Sequence, residues 1–185
     1  MKDFIRAETR FSLCGLNCSL CPMYLGEYCP GCGGGKGNQS CAIARCSLAH
    51  GKIQFCWDCP EYPCPRYENF DEFDSFVPHR TRRQDISLAR ELGVDIYLIQ
   101  LEEKRAILNT LWKHCDDGRH KSFFITAVYL LPLEDLQNAL ATLQSRSEWT
   151  DPSAKKRSTA AASLLQALAD RRGLHLRLNK KTKRE

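Results

Sequence analysis

The sequence predicts an irregular cysteine-rich module of short helices and knuckles, followed by an all-α region of about four helices. Two observations support this division. Ten of the eleven cysteines lie between residues 14 and 64, whereas apolar residues recur at helical spacing after residue 81. We therefore predict a cysteine-rich module over 1–70, a linker over 71–80, a helical region over 81–172 and a basic tail over 173–185.

The spacing of the cysteines indicates metal binding. Three pairs are separated by two residues, which lets two sulfurs from one tight turn reach the same ion. We also expect Cys14, Cys18 and Cys21 to lie on one side of a helical turn, because their spacing matches the helical repeat. The candidate metal ligands are Cys14, Cys18, Cys21, Cys29, Cys32, Cys41, Cys46, Cys56, Cys59 and Cys64.

The predicted module is metal-stabilised because its own apolar residues are few. Ordering a backbone costs roughly 1–2 kcal/mol per residue, which so thin a core would struggle to offset. A structural zinc ion contributes about 10–16 kcal/mol in zinc-finger peptides at neutral pH. Two such ions would make up the deficit.

Zinc is the predicted metal, and iron–sulfur (4Fe–4S) clusters are the alternative. The two-residue knuckles are typical of zinc sites, whereas cysteines followed by proline recur in iron–sulfur proteins. Ten thiolates fit two four-cysteine sites with two cysteines left over, or a two-zinc six-cysteine cluster beside one four-cysteine site. Three separate sites would have to recruit further ligands such as His50 or His79.

The helical pattern after the module is regular. Predicted helices cover 82–92, 132–143 and 153 to about 172, and apolar residues from Val94 to Cys115 recur at helical spacing with Gly118 as the stop. The apolar run 120–131 is interpreted as a helix, with a strand as the alternative. A short helix over 41–49 is predicted inside the module, with Gly51 ending it. Cys115 falls on an apolar stripe, so it is interpreted as a buried structural thiol.

Charge and targeting signals predict the compartment and a possible partner. Neither a secretory leader nor a membrane-spanning segment is recognisable, so we predict a cytoplasmic protein with no membrane partner. In a reducing compartment, clustered cysteines favour metal over disulfides. The chain after residue 150 contains ten basic residues and three acidic ones. The tail is read as a solvated basic end, with nucleic-acid binding through Lys180, Lys181, Lys183 and Arg184 as the alternative.

The cysteine-bearing segments resemble a known family. The run Cys14 to Pro22, the Cys29-Pro30-Gly31-Cys32 turn, Cys41 and Cys46, and the segment Phe55 to Cys64 are similar to cysteine-rich proteins of bacteria and archaea catalogued as domain of unknown function 3795. The resemblance implies metal binding by the ten cysteines and brings no established activity. The helices between Asp85 and Leu143 are similar to an extension that some members carry.

The predicted function is that of a metal-binding protein, with structural zinc and a role in binding or interaction. A protein partner is plausible, and no catalytic residue is predicted because metal-bound thiolates are not available as nucleophiles. An iron–sulfur redox or electron-transfer protein is the first alternative. A zinc protein associated with nucleic acid through its tail is the second.

Overall fold

The fold is known from a computed structural model that describes residues 3–38 and 41–181. In these ranges the chain is mainly helical and contains no β-strand, although an isolated antiparallel bridge joins Ile5 to Gly34. The prediction of a helical fold with a cysteine-rich N-terminal region is confirmed. The helices are α1 (Pro22–Leu25), α2 (Ala42–Ala49), α3 (Arg82–Leu92), α4 (Val94–Cys115), α5 (Lys121–Leu130), α6 (Leu133–Gln144) and α7 (Ala154–Arg171).

The chain divides into two compact units. The first contains residues up to Leu101 together with the segment from Asn179 onward, and the second contains Glu102–Leu178. The first unit therefore holds every candidate metal ligand together with α3 and the beginning of α4. The second unit holds the rest of α4 and the helices α5, α6 and α7.

The core of the first unit joins the irregular segment to two helices. Phe11 is fully buried, and its ring centroid lies 5.0 Å from that of Tyr97 on α4. The Tyr97 hydroxyl is 3.0 Å from a side-chain oxygen of Asn17 and 3.0 Å from one of Asp85 on α3. Ile86 of α3 is buried in the same unit. The cysteine-rich segment therefore draws part of its apolar core from residues beyond it.

The prediction that Cys14, Cys18 and Cys21 share one helical turn is wrong. Gly15 adopts a φ of +97°, which interrupts any helix after Cys14, and a 3₁₀ turn begins only at Cys18. A Cβ atom at Gly15 would lie 2.4 Å from the carbonyl oxygen of Arg82. The chain turns at this glycine because α3 passes too close for a side chain.

The predicted helices form with small differences in their bounds. The short helix inside the module is α2, and Gly51 after it has the expected positive φ of +76°. The apolar run 120–131 contains the helix α5, so five helices follow residue 81 where about four were predicted. No helix in the described ranges has the length and apolar character needed to cross a membrane.

The second unit has a conventional helical core. Residues 124–130 of α5 are all buried, and α7 packs against both α5 and α6. Leu111, Leu136 and Leu165 from three different helices are at most 1% exposed. Cys115 is fully buried, as its place on an apolar stripe predicts, and burial raises the pKa of that thiol.

The turn between α4 and α5 is organised by one carboxylate. Asp117 Oδ1 accepts hydrogen bonds from the backbone amides of Arg119 at 2.9 Å and His120 at 3.0 Å. Its Oδ2 lies 2.8 Å from His120 Nδ1. Burial alone would raise the pKa of Asp117, but these hydrogen bonds outweigh it and the pKa falls below its ordinary value. The ionised form of Asp117 therefore stabilises the folded turn.

The substitution Asp117→Ala should destabilise α5 by about 1.5–3 kcal/mol at neutral pH, the range for hydrogen bonds to a charged group. Because the folded-state pKa is depressed, this contribution is complete above about pH 5 and is lost as the pH falls below about 4. Hydrogen exchange of the α5 amides in both proteins at each pH measures the difference. Asp116→Ala is the control, since that side chain accepts one backbone hydrogen bond and should cost less. A difference independent of pH would contradict this account.

Candidate functional site

Two of the cysteine pairs adopt the same backbone turn. The 3₁₀ turns Cys18–Leu20 and Cys56–Asp58 each end at a cysteine that is followed by proline. Cys21 has φ −78° and ψ 132°, and Cys59 has φ −83° and ψ 132°. In each turn the second cysteine donates its amide to the carbonyl of the first, at 2.9 Å and 3.1 Å. Each turn therefore holds two sulfur-bearing residues in one short, rigid segment.

The third pair, Cys29 and Cys32, lies in a different turn. Gly31 between them has a φ of +85°, and a Cβ atom there would lie 2.3 Å from the carbonyl oxygen of Thr9. The Cys32 amide donates to that same carbonyl at 3.0 Å. This turn is fixed against the N-terminal segment, so its glycine is required by close backbone packing.

Four cysteines line one small cavity of about 20 Å³. Cys46 comes from α2, Cys56 and Cys59 come from the second 3₁₀ turn, and Cys64 follows shortly after it. The cavity wall also includes the rings of Tyr62 and Tyr67, which meet edge to face at 5.1 Å. The structure thus brings together four of the ten predicted ligands from three separate segments.

The thiols of this group influence one another. Burial raises the pKa of Cys56 to about 12, the neighbouring Tyr67 hydroxyl partly offsets this, and Cys14, Cys64 and Cys46 raise it further. The pKa of Tyr67 is itself raised, first by burial and then by Cys56. Because like charges oppose each other's ionisation, these thiols need a nearby cation to exist together as thiolates.

A second group lies around the first 3₁₀ turn. Burial raises the pKa of Cys18 well above its ordinary value, and Cys32, Cys14 and Cys21 raise it further. Burial also raises the pKa of Cys32 to about 11, although Arg6 acts in the opposite direction. Backbone amides of Met23 and Tyr24 partly offset the effect of burial on Cys21. Amides directed at sulfur are typical surroundings of a thiolate ligand.

Cys41 is exposed, whereas Cys14 and Cys56 are buried and the other candidate ligands are intermediate. Cys41 precedes α2 and acts on Cys32 only weakly, as the last of several influences on its pKa. Cys29 is likewise the last of several influences on the pKa of Cys21. These two cysteines are the peripheral members of the set.

Arg6 is the first of two buried arginines beside the cysteines, and it is 5% exposed. Its Nε donates to the carbonyl of Gln54 at 2.8 Å, and its Nη1 donates to the carbonyls of Phe11 at 3.0 Å and Cys32 at 3.1 Å. Its Nη2 is buried without a hydrogen-bond partner. Its hydrogen-bond partners are all neutral carbonyl groups, and its guanidinium carbon lies 4.9 Å from the centroid of the Phe55 ring. In the described ranges Arg6 forms no ion pair with a carboxylate.

Arg82 is the second, and it is 6% exposed. Its Nη1 donates to Cys14 Sγ at 3.5 Å, and its Nη2 donates to the Phe70 carbonyl at 2.7 Å and to His79 Nδ1 at 2.9 Å. Burial, followed by the charge of Arg82, lowers the pKa of His79 to about 4, so that ring is neutral at physiological pH. Arg82 Nε is buried and unpartnered. Within the described part of the chain, Arg82 also forms no ion pair with a carboxylate.

The donor set fits a metal in its chemistry and charge. Burying a cation is costly unless an anion compensates it, and thiolates bound to a metal would supply that negative charge beside both arginines. As the side chains stand over 3–38 and 41–181, however, no three cysteine, histidine, aspartate or glutamate groups are close enough to hold an ion. The sulfurs would have to turn inward to share one.

The two histidines considered as additional ligands are already engaged. His50 Nδ1 lies 2.8 Å from the carbonyl of Cys46, and its Nε2 lies 3.5 Å from Glu61. His79 contacts Arg82 through one ring nitrogen, and its Nε2 is 2.8 Å from the Ser75 hydroxyl. Neither arrangement favours a ligand role.

The tail residues proposed for nucleic-acid binding are described only in part. Lys180 Nζ donates to the Ser75 carbonyl at 3.2 Å, and Lys181 Nζ lies 5.5 Å from the Phe73 ring centroid. Lys183 and Arg184 lie outside the described residues. Nucleic-acid binding by the tail therefore stays a prediction.

Sequence reasoning missed Arg6 and Arg82. Arg6 lies between Ile5 and Ala7, and Arg82 opens a helix whose next residue is also arginine. Helical spacing places Arg82 on the same buried face as Ile86 and Ala89, which was the available signal of its burial. The packing of α3 on the cysteine segment then places its guanidinium beside Cys14.

The family resemblance is supported by comparison with known proteins. Residues 10–69 match the model of a family described as Protein of unknown function (DUF3795). Comparisons with curated proteins and with solved structures found no significant match. The family match contains all ten cysteines of the predicted ligand set and ends before α3 begins.

The substitution Arg82→Gln should destabilise the first unit by about 3 kcal/mol or more, because buried charge-assisted contacts are lost and their partners remain buried. Urea unfolding of the full-length protein measures this. Arg90→Gln on the same helix is the control, since Arg90 is exposed and should change stability by less than about 0.5 kcal/mol. Equal effects of the two substitutions would refute the buried role of Arg82.

Proposed function

We propose that the cysteine-rich segment binds metal ions through its thiolates, and that these ions are structural zinc. The observation that carries this proposal is the pair of buried arginines, Arg6 and Arg82, beside Cys32 and Cys14. A four-cysteine zinc centre has a net negative charge, since four thiolates surround one divalent cation. Such a centre would compensate guanidinium groups that otherwise have only neutral partners in the described ranges.

Arginine N–H groups would also orient the sulfurs. Arg82 already donates to Cys14 Sγ at 3.5 Å, and the orphaned Nε of Arg82 and Nη2 of Arg6 are further donors in the same region. Donors around ligating atoms fix their orientation and tune the metal. Zinc, when bound, would supply a closed tetrahedral link between chain segments that are distant in sequence.

The role of such a centre is stabilisation of a binding module. The first unit presents no strand ladder over the described ranges and depends on short turns held by glycines and prolines. A metal cross-link would stabilise those turns and the surface they present. We place the protein among metal-binding proteins with an interaction role.

An iron–sulfur protein is the second candidate. The Cys-Pro steps after both 3₁₀ turns favour it, since Cys-Pro recurs in iron–sulfur ligation, and hydrogen bonds to sulfur set the potential of such clusters. Protein purified without oxygen distinguishes the two candidates. Zinc in a colourless protein supports the proposal, whereas iron with visible absorption supports the second candidate.

Removing the metal should unfold the turns of the first unit while the core of the second unit persists. A bound zinc contributes about 10–16 kcal/mol, more than the whole stability of an ordinary domain. Hydrogen exchange of the full-length protein, with and without a chelator under reducing conditions, measures this. Amides of Cys21 and α2 should lose protection, and amides in the middle of α7 should keep theirs.

The same experiment can also refute the proposed structural metal. Metal-free protein at purification, or unchanged protection of the Cys21 and α2 amides after complete metal removal, would overturn a structural metal. Cys115→Ser is a matched control variant because Cys115 is a buried thiol in the second unit. Its metal content should equal that of the unaltered protein.

A further inference from the structure

The four cysteines around the small cavity carry an inference about how the ligands are shared. We propose that Cys46, Cys56, Cys59 and Cys64 form one four-cysteine metal centre, separate from a centre built on the Cys18–Cys21 turn. This assignment rests on the proposed metal-binding function and deepens it. The spacing of the cysteines allows this partition and several others.

The first argument is the cavity itself. Its lining contains these four cysteines and no other cysteine, and they come from α2, the second 3₁₀ turn and the residues after that turn. Four sulfur donors from three segments around one point are the arrangement that a tetrahedral ion requires. A volume of about 20 Å³ accommodates one atom-sized guest, which suits a single zinc ion.

The second argument is the repetition of the backbone turn. Cys18/Cys21 and Cys56/Cys59 share the same 3₁₀ geometry and the same following proline. A turn of this kind directs two sulfurs to one ion, so each of the two turns supplies half of a centre. The first turn has Cys14 and Cys32 as neighbours, and the second turn has Cys46 and Cys64. Cys14 also influences Cys56, but it is not part of the cavity lining.

The surroundings of the cavity suit a closed site. Leu13, Ile43 and Ile53 contribute apolar wall, and Arg66 is the one cationic side chain in the lining. Apolar surroundings exclude water, and a nearby cation favours thiolates over thiols. This setting is typical of a structural ion and unlike an open catalytic position.

Rotation of the cysteine side chains would direct the sulfurs to one ion. The four cysteines line the cavity, no three potential ligand groups in the described ranges are close enough to hold an ion, and a cysteine side chain moves its sulfur between three staggered positions about χ1. In the folded chain, Cys56 donates its amide to the Leu13 carbonyl at 2.8 Å and Tyr67 donates to the Cys64 carbonyl at 2.9 Å. These hydrogen bonds place the cysteines around the cavity, and a bound ion would stabilise that arrangement.

His50 is the competing ligand in this region. Cys46 Sγ lies 3.5 Å from His50 Nδ1, but that nitrogen is closer to the Cys46 carbonyl, at 2.8 Å. His50 is also absent from the lining of the cavity in the described ranges. His50→Gln should therefore leave the metal content unchanged.

NMR of the full-length protein loaded with cadmium in place of zinc tests the assignment without a substitution. Scalar coupling between a cadmium nucleus and the Cβ protons of a cysteine identifies each ligand. We expect Cys46, Cys56, Cys59 and Cys64 to couple to one cadmium signal that no other cysteine shares. Coupling of any one of them to a different signal, or of a further cysteine to the same signal, overturns the assignment.

Metal analysis of two double variants gives an independent answer. Cys59→Ser with Cys64→Ser should remove one ion per chain, because both residues serve one centre. Cys21→Ser with Cys59→Ser should remove one ion more, because two centres are broken. Equal losses in the two double variants overturn the partition. Hydrogen exchange of the α7 amides confirms that the second unit of each variant stays folded.

These results separate the two proposals. An unaltered protein that takes up neither zinc nor iron nor cadmium refutes metal binding itself, and the partition falls with it. An unaltered protein that binds metal through other groupings of cysteines refutes the partition alone.

Discussion

The burial of two guanidinium groups beside Cys32 and Cys14 is the constraint on which the packing of the first unit depends. Arg6 and Arg82 are each about nine-tenths or more buried, and their partners are carbonyls, a neutral histidine, a thiol and the rings of Phe55 and Phe70. A buried cation is costly unless an anion compensates it. The proposed metal-bound thiolates would supply that anion, whereas neutral thiols would not.

Both arginines also connect distant segments. Arg6 links the N-terminal segment to Gln54 and Cys32, and Arg82 links α3 to Phe70 and Cys14. The cysteine-rich segment is therefore linked to α3 and is not an isolated module. The packing of α3 and the position of Cys14 depend on each other, since α3 carries the guanidinium that donates to Cys14 Sγ.

The second unit is stabilised by simpler interactions. Its helices bury apolar stripes, and its turns are organised by local carboxylate hydrogen bonds such as those of Asp117. It contributes one cysteine, Cys115, which is buried on an apolar face. Periodicity is a sufficient guide here because the hydrogen bonds of a helix are local and its stability comes mainly from the packing of one apolar face, which the spacing of residues reveals.

By itself, the sequence determined the helices, their ends at glycines and the concentration of thiols in one segment, because these depend on local spacing and backbone preference. Only the tertiary structure decided which cysteines meet. Gly15 breaks the helical turn expected from the spacing, and the cavity unites Cys46 with Cys64 across 18 positions of sequence. Such convergence depends on long-range packing, which the spacing of residues along a chain does not reveal.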